Sequence, residues 1–269
     1  MKRLMSLLLL LSSLAGAETL DLSLSRYGEF SSDPAVNRSM AQTAFRRISC
    51  DLAGATAMPL LSAASPLEWK KVDAGVSISG TGIVRGEKHM SLSATGSNMQ
   101  PWMIVAPRIH IQVGLPDRFD AGIVIGTLPQ LKRGKGILAG AEIRYAILAG
   151  SAISSAIGVR AHYTGLIGAD DISLGTEGLE VYISKSFVVF TPYAGAGLLC
   201  SQASSKAAPF SFGGGVQKVK DEPFLFEPRG TAGLKIAHMQ ELNTVLEIDA
   251  VKPNSIILPT YRLKVLASF

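Results

Sequence analysis

Residues 261–269 read YRLKVLASF, and this stretch decides how the rest of the chain is interpreted. Every second side chain is apolar, and Arg262, Lys264 and Ser268 lie between them. The apolar positions are Tyr261, Leu263, Val265, Ala267 and Phe269. Because successive side chains of a β-strand point to opposite faces, the stretch predicts a strand with one apolar face and one polar face.

The same stretch resembles the terminal strand of bacterial outer-membrane β-barrels. In that family, alternating apolar residues that close on a final Phe form the signal read by the insertion machinery. The resemblance implies that Tyr261, Leu263, Val265 and Phe269 act as an insertion signal. It also implies a location in the cell outer membrane, with outer-membrane lipid and the barrel assembly machinery as partners.

Residues 1–17 predict export. Lys2 and Arg3 form a positive start, residues 4–11 form an apolar core, and Ala-Gly-Ala at 15–17 offers a cleavage site before Glu18. The apolar core is too short to cross a bilayer as a helix, and no later stretch offers about 18 consecutive apolar residues. A helical membrane protein is therefore excluded.

The charge of the chain gives no reason to expect nucleic acid as a partner. The formal net charge is +5, and removing Lys2 and Arg3 with the signal peptide leaves +3, carried by scattered residues. Cys50 and Cys200 lie far apart in sequence, and their pairing in an oxidising compartment is left open. Neither cysteine has metal-ligand spacing, so we predict no metal and no cofactor.

A helix is predicted between the signal peptide and the strands. Asp33 suits the N-cap, Pro34 suits the first helical position, and Gly54 suits the end. Apolar residues recur at helical spacing at Val36, Met40, Ala44, Phe45, Ile48 and Leu52. We therefore divide the chain into the signal peptide (1–17), an N-terminal segment whose amphipathic helix is a plug or a periplasmic cap (18–70), and a barrel (71–269).

From residue 72 onward the sequence predicts ten strands of the length that a tilted transmembrane strand needs, about 9–11 residues. They cover 72–84, 102–113, 119–127, 137–148, 153–164, 172–184, 188–199, 231–237, 242–251 and 257–269. Glu177 and Pro192 interrupt their strands and predict bulges or wrong boundaries there.

The links between these strands alternate in length. The odd links are mostly long and rich in Gly, Ser and charge, and the longest covers 200–230, whereas the even links are short. Long outside loops, short periplasmic turns and an even strand count are typical of outer-membrane barrels. The sequence therefore predicts an all-β fold, an antiparallel transmembrane β-barrel of about ten strands with a short N-terminal helical segment. A soluble periplasmic barrel or sandwich is the alternative.

If the apolar faces meet lipid, the polar faces predict a charge network inside the lumen. Its members are Asp73, Arg108, His110, Asp120, Glu142, Arg144, Arg160, His162, Glu180, Lys235, Glu247, Asp249, Arg262 and Lys264. The two signs nearly balance, and a ten-strand barrel is little wider than the eight-strand kind that side chains fill. We expect these charges to pair across the lumen and to block a wide water channel, which argues against a general diffusion porin.

For function, the N-terminal helix resembles in its placement the hatch of fatty-acid-type outer-membrane transporters. That resemblance implies passage of small or hydrophobic molecules, and a structural envelope role is the other interpretation. Residues 114–116, 184–187 and 192–195 also resemble stretches of uncharacterised barrel proteins from Gram-negative bacteria, and these name no ligand.

Two alternatives concern chemistry and adhesion. His162-Tyr163-Thr164 resembles the His-x-Ser pair of outer-membrane lipid A deacylases, with Thr164 in place of Ser and Gly165 in place of the following Asn. The strand phase turns His162 inward, so we interpret it as a lumen histidine and predict no enzyme. Phe210, Phe212, Phe224 and Phe226 in the predicted loop 200–230 suggest a surface adhesin or receptor, or packing on the barrel rim.

Overall fold

The computed structural model describes residues 33–83, 103–131, 134–151, 153–206, 210–212, 215–217, 220–238, 241–252 and 257–269. Within these residues lie one α-helix, α1 (Pro34–Thr56), and twelve strands. The strands are β1 (Val72–Gly82), β2 (Met103–Gly114), β3 (Phe119–Thr127), β4 (Gly134–Leu148), β5 (Ala156–Ala169), β6 (Ile172–Ser184), β7 (Phe190–Ser205), β8 (Phe210–Phe212), β9 (Gly215–Gln217), β10 (Glu222–Ala237), β11 (Leu242–Val251) and β12 (Leu258–Ser268).

Ten of these strands form a closed antiparallel barrel, which confirms the predicted fold. Each barrel strand pairs with its neighbour in sequence, β7 pairs with β10, and β8 with β9 forms a separate hairpin. The barrel closes between β12 and β1. At the end of this seam Phe269 N–H donates to Val72 O at 2.8 Å, and Val72 N–H donates to Phe269 O at 3.1 Å. The YRLKVLASF stretch is thus the strand that closes the wall.

The barrel has two unequal ends, which we name by their connections. At the short-turn end lie the brief links β2–β3, β4–β5, β6–β7 and β10–β11, together with Val72 and Phe269. At the long-loop end lie the links β1–β2 and β7–β10 and the β8–β9 hairpin. The links β3–β4, β5–β6 and β11–β12 also lie at the long-loop end. The predicted alternation therefore holds only in part: β1–β2 and β7–β10 are the long links, whereas β5–β6 consists of residues 170 and 171 alone, because β5 continues to Ala169.

Burial along the strands follows an inside-out pattern. Outward side chains are apolar and exposed, with Ile109, Ile125, Ile143, Val181 and Ile248 each more than half exposed. Inward side chains are almost fully buried, and most of them are polar or charged except near the long-loop end, where inward residues such as Leu138 and Leu174 are apolar. Since a soluble barrel would place its apolar face inside, this wall suits surrounding hydrocarbon. In the C-terminal strand Tyr261, Leu263 and the final Phe269 are exposed, and Val265 is half-buried.

Aromatic rings cluster on the outer surface near the short-turn end. The Phe119 and Tyr145 ring centroids lie 4.8 Å apart, and those of Phe187 and Phe190 lie 5.1 Å apart. Such belts are typical of the level where hydrocarbon meets headgroups.

Helix α1 begins as predicted and ends later than predicted. The Asp33 carboxylate accepts hydrogen bonds from the N–H groups of Ala35 and Val36 at 2.8 and 3.2 Å. Gly54 does not end the helix, because it keeps a helical conformation against Thr81, and the helix continues to Thr56. Among the described residues no helix combines the length and apolarity that crossing a membrane requires.

Several boundary predictions were wrong, and β5, predicted for 153–164, covers Ala156–Ala169. The predicted loop 200–230 is largely strand, because β7 extends to Ser205 and β10 begins at Glu222 rather than at Thr231. The predicted bulges at Glu177 and Pro192 are absent, since the β6–β7 register is continuous through Glu177 and the β7–β10 register is continuous through Pro192. Glu177 keeps the strand phase and points outward. The register shifts of β10 lie instead between Glu222 and Leu225.

The closed, fully hydrogen-bonded wall leads to a first prediction, which concerns resistance to detergent. Unboiled protein should migrate faster than boiled protein on a denaturing gel, because the detergent does not open a barrel that has no free strand edge. Equal migration of the two samples, with the protein otherwise intact, would show that the closed wall does not persist in detergent.

Candidate functional site: the plugged lumen

The lumen is filled by the chain segment that precedes the barrel. We call residues 34–66 the plug, which consists of α1 and the extended residues 57–66. Residues 51–64 are all buried. The segment leaves the lumen at the short-turn end, where Lys70 N–H donates to Gly114 O at 3.0 Å. The plug therefore occupies the space that an open pore would need.

Helix α1 lies in the half of the lumen nearest the long-loop end. Its Ala44, Phe45, Ile48 and Leu52 are buried, and they pack in one apolar cluster with inward residues near the long-loop ends of the strands. These partners are Ile104, Ala106, Leu128, Leu138, Leu166, Ile172, Leu174 and Ala203. Most of the predicted apolar face of the helix is therefore buried against the inner wall, whereas Met40 is half-buried and Val36 is exposed.

The beginning of α1 reaches the long-loop mouth. The Gln42 side chain donates to Lys220 O at 3.0 Å and accepts from Lys220 N–H at 2.8 Å, just before β10 starts. Asp33, Arg38 and Ser39 are exposed. From Pro34 to Lys71 the chain therefore runs through the barrel from the long-loop end to the short-turn end.

Between α1 and the short-turn end, a continuous row of alternating charges follows the inner wall. We call it the ion ladder. Its members, in order around the wall, are Glu142, Arg160, Glu180, Arg229, Asp249, Arg262, Glu247 and Lys264. Each of their side chains is at most 4% exposed, so these ions are removed from bulk water.

The first half of the ladder centres on Glu180. Arg160 Nη1 lies 2.9 Å from Glu142 Oε2, and Arg160 Nε lies 2.6 Å from Glu180 Oε2. The second oxygen of Glu180 lies 2.6 Å from Arg229 Nη1. Arg229 Nη2 continues the row to Asp249 Oδ2 at 2.8 Å. Arg160, Glu180 and Arg229 thus each have opposite charges on both sides, which offsets the cost of burying them.

The second half joins β11 and β12. Arg262 Nη1 lies 2.8 Å from both Asp249 Oδ2 and Glu247 Oε1. Lys264 Nζ lies 2.7 Å from Glu247 Oε2, and the Tyr193 hydroxyl donates to that same oxygen at 2.6 Å. Through Tyr193, β7 also contributes a side chain to the ion ladder.

The cations of the ladder also hold the backbone of the plug. Arg160 Nη1 donates to Pro59 O at 2.7 Å and Arg160 Nη2 donates to Met58 O at 3.1 Å. Arg229 Nη2 donates to the same Met58 carbonyl at 2.8 Å, and Lys264 Nζ donates to Leu60 O. Buried carbonyls that no strand pairs thereby find donors.

Two further arginines also donate hydrogen bonds to the plug. Arg144 donates to the Ser62 hydroxyl, to Ala63 O at 2.5 Å and to the Tyr182 hydroxyl at 2.6 Å. Arg108 Nη2 donates to Ala55 O at 2.5 Å, at the end of α1.

Near the short-turn end a carboxylate holds the end of the plug region. Asp120 accepts from Leu67 N–H at 3.0 Å and lies 3.8 Å from Arg144 Nη2. The residue that follows the plug is thereby fixed to the wall.

The structure places the predicted network residues unevenly. Seven of them form the ladder with Arg229, and Arg144, Asp120 and Arg108 lie beside it. Asp73 and His110 are buried on the inner face, and their side chains have no hydrogen-bond partner among the described residues. Lys235 is half-buried and forms no ion pair with a described residue.

His162 is part of the lumen chemistry rather than of a separate site. Its Nε2 lies 3.5 Å from Glu180 Oε1 and 3.2 Å from Arg229 Nη1. A Cβ on Gly178 would lie 2.1 Å from that nitrogen, so the ring needs glycine opposite it. Thr164, from the deacylase-like triplet, is buried, and its hydroxyl has no partner among the described residues.

Sequence reasoning missed Arg229, the residue that joins the two halves of the ladder. It also missed Tyr182 and Tyr193, whose hydroxyls meet Arg144 and Glu247. The signal for Arg229 was present, because residues 224–231 alternate between outward and inward positions once the strand is extended backward.

The two cysteines are free thiols, Cys50 buried on the plug and Cys200 half-buried on the wall. In the described part of the chain, no group of three or more His, Cys, Asp or Glu side chains is arranged to hold a metal ion.

No family model and no curated protein matches the sequence. Among solved structures, the chain is similar to the N-terminal β-barrel domain of Pseudomonas aeruginosa OprF, at 12% identity and a TM-score of 0.35, over 75% of this chain and 98% of that chain. It is similar to Neisserial surface protein A, at 12% identity and a TM-score of 0.31, over 74% of this chain and 94% of that chain.

A third similar structure is Ail, the attachment invasion locus protein of Yersinia pestis, at 11% identity and a TM-score of 0.30, over 75% of this chain and 100% of that chain. All three are bacterial outer-membrane β-barrels. At these identities and TM-scores the likeness says nothing about function, and the fold rests on the strand pairing and burial described above.

Proposed function

We propose that this protein is an outer-membrane barrel that its own plug keeps closed, with a structural role in the Gram-negative envelope. The observation that carries the proposal is the clamp on the plug, in which five wall cations donate to carbonyls between Ala55 and Ala63. We expect a lumen filled in this way to offer no continuous water path for free diffusion.

In this proposal the long-loop end faces the outside and the short-turn end faces the periplasm. Long outside loops and short periplasmic turns are the usual arrangement of such barrels. Export by the predicted signal peptide and insertion by the barrel assembly machinery, guided by the C-terminal strand, belong to the same proposal.

Passage of small or hydrophobic molecules is the second candidate, and the structure sets a condition on it. Any molecule that crosses through the lumen requires the plug to move, which means breaking buried ion pairs and hydrogen bonds together. Such passage would be gated rather than free. The adhesin hypothesis loses part of its basis, because Phe224 and Phe226 lie on the barrel wall rather than in a loop, whereas Phe210 and Phe212 lie in the separate β8–β9 hairpin.

Conductance tests the proposed function directly. The folded, purified protein in a planar lipid bilayer should show no stable conductance steps, because the plug occupies the lumen. Reproducible steps from wild-type protein that has been shown by its gel mobility to be folded would overturn a permanently closed barrel.

The proposed orientation, with the long-loop end outside, leads to a separate prediction for intact cells. With Cys50 and Cys200 replaced by alanine, a cysteine at Ser39 should react with a membrane-impermeant maleimide, because Ser39 is exposed at the long-loop mouth. A cysteine at Asp117, exposed in the β2–β3 turn, should react after the cells are opened. The reverse pattern would show that the long-loop end faces the periplasm.

A further inference from the structure

The outer wall carries a groove that the plugged lumen does not explain. Its cavity volume is about 770 Å³, within the range of small-molecule sites. The outward side chains that line it are Ile143, Tyr163, Leu179, Leu198, Phe224 and Phe226. The rings of Phe224 and Phe226 are stacked with centroids 6.4 Å apart and form one side of it. The groove opens toward the membrane.

One carboxylate lies in this apolar surface. Glu177 is exposed on the outer face of β6, and its register partners are Tyr163 on β5 and Cys200 on β7. Gln202 Nε2 donates to Glu177 Oε1 at 3.3 Å. A lipid-facing charge in a barrel wall is costly in a way that depends on depth. The carboxylates of the ion ladder avoid that cost because they face the lumen, whereas the Glu177 side chain faces outward.

A second groove on the wall provides an internal comparison. Its volume is about 530 Å³, and its outward lining includes Met103, Leu246, Ile248, Tyr261 and Leu263. Glu247 and Arg262 also border it, but their side chains are buried in the ladder. The two grooves are alike in apolar lining and differ in the outward carboxylate.

We propose that the Glu177 groove binds a membrane lipid whose headgroup carries a primary ammonium. The acyl chain lies over Leu179 and Leu198, and the ammonium donates a hydrogen bond to the Glu177 carboxylate. Charge selects this occupant, because an anionic headgroup is repelled by Glu177 and a quaternary ammonium has no N–H to donate. Glu177 is one residue from the middle of β6, but the outward residues beyond it toward the long-loop end are small or polar, namely Gly175 and Ser173 on β6 and Gln202 and Ser204 on β7, so its level suits a headgroup at that membrane surface. The inference rests on the proposed membrane location.

Native mass spectrometry of the detergent-purified barrel tests the proposal. The protein is offered an equimolar mixture of phosphatidylethanolamine, phosphatidylglycerol and phosphatidylcholine with identical acyl chains. We expect wild-type protein to retain phosphatidylethanolamine about tenfold in preference to the others, as one charge-assisted hydrogen bond supplies. E177Q should lose that preference. E241Q, which removes an exposed carboxylate at the short-turn end, should keep it.

A second pair of variants tests the apolar part of the site. L179W fills the Glu177 groove from an exposed position and should reduce retention of phosphatidylethanolamine, whereas L246W in the second groove should not. Equal retention of the three lipids by wild-type protein, or an unchanged preference in E177Q, would overturn the proposal. Because lipid retention and conductance are measured separately, failure of the lipid site is distinguishable from failure of the closed-barrel function.

Discussion

Replacing Arg160 with methionine is expected to lower the free energy of unfolding by about 3–5 kcal/mol. The substitution keeps much of the side-chain volume but removes the cation between Glu142 and Glu180, and it removes the donors to Met58 O and Pro59 O. Two buried carboxylates and two buried carbonyls then lose a partner at once. Urea titration in lipid vesicles, with the folded fraction scored by gel mobility, measures the change.

The matched control is Arg118→Met at the short-turn end. Arg118 is exposed and donates one hydrogen bond, to Ile147 O at 3.5 Å. Its replacement should shift the free energy of unfolding by at most about 0.5 kcal/mol. If R160M and R118M prove equally mild, the ladder makes no net contribution to holding the barrel together. Combining R160M with E180Q should cost less than the two single changes added, because the two residues share one interaction.

The ladder explains why plug and wall form one unit. A guanidinium offers five N–H donors, and carboxylate neighbours use part of them. At Arg160 and Arg229 remaining donors point at the plug backbone, so the same cation satisfies wall carboxylates and plug carbonyls. Withdrawing the plug would take its carbonyl acceptors away from these donors, and this couples the position of the plug to the charges of the wall.

Much of the wall was predictable because side-chain alternation is local. Arg108, Glu142, Arg160 and Asp249 each follow or precede an apolar residue on a strand of regular phase, and all face the lumen. The period of two assigns a face without any knowledge of the partner strand.

Arg229 was missed for a local reason as well. Pro228 and Gly230 flank it, and proline is unusual inside a paired strand. In the structure the Pro228 carbonyl accepts from Lys252 N–H at 3.0 Å, just beyond the last residue of β11. The proline nitrogen faces the same side, past the end of the neighbouring strand, so its missing N–H breaks no ladder bond.

The position of the plug was beyond sequence reasoning. Helical spacing showed that one face of α1 must be buried, but it did not show against which wall. The groups that fix residues 57–66 are backbone carbonyls, which every residue carries and no side-chain pattern displays. The clamp becomes visible when distant cations, such as Lys264 near the C-terminus, meet those carbonyls in space.

Deleting residues 34–66 is expected to convert a silent barrel into a conducting one. The deletion removes α1 and the clamped segment while leaving all ten barrel strands and both partners of the β1–β12 seam. Water can then enter the lumen and solvate the ladder donors that lost their carbonyls. The measurement is single-channel recording in a planar bilayer, where the wild type should show no steps and the deletion variant should show reproducible ones.

The control deletion is 208–219, which removes the β8–β9 hairpin at the long-loop end and leaves the plug in place. That variant should stay silent, because the hairpin pairs with no barrel strand. Both deletion variants must first show the faster migration of folded barrels, so that silence is not mistaken for misfolding. If the folded 34–66 deletion is also silent, the ladder side chains themselves close the lumen. The plug would then be a structural filler, and the barrier would reside in the charges that bridge the wall.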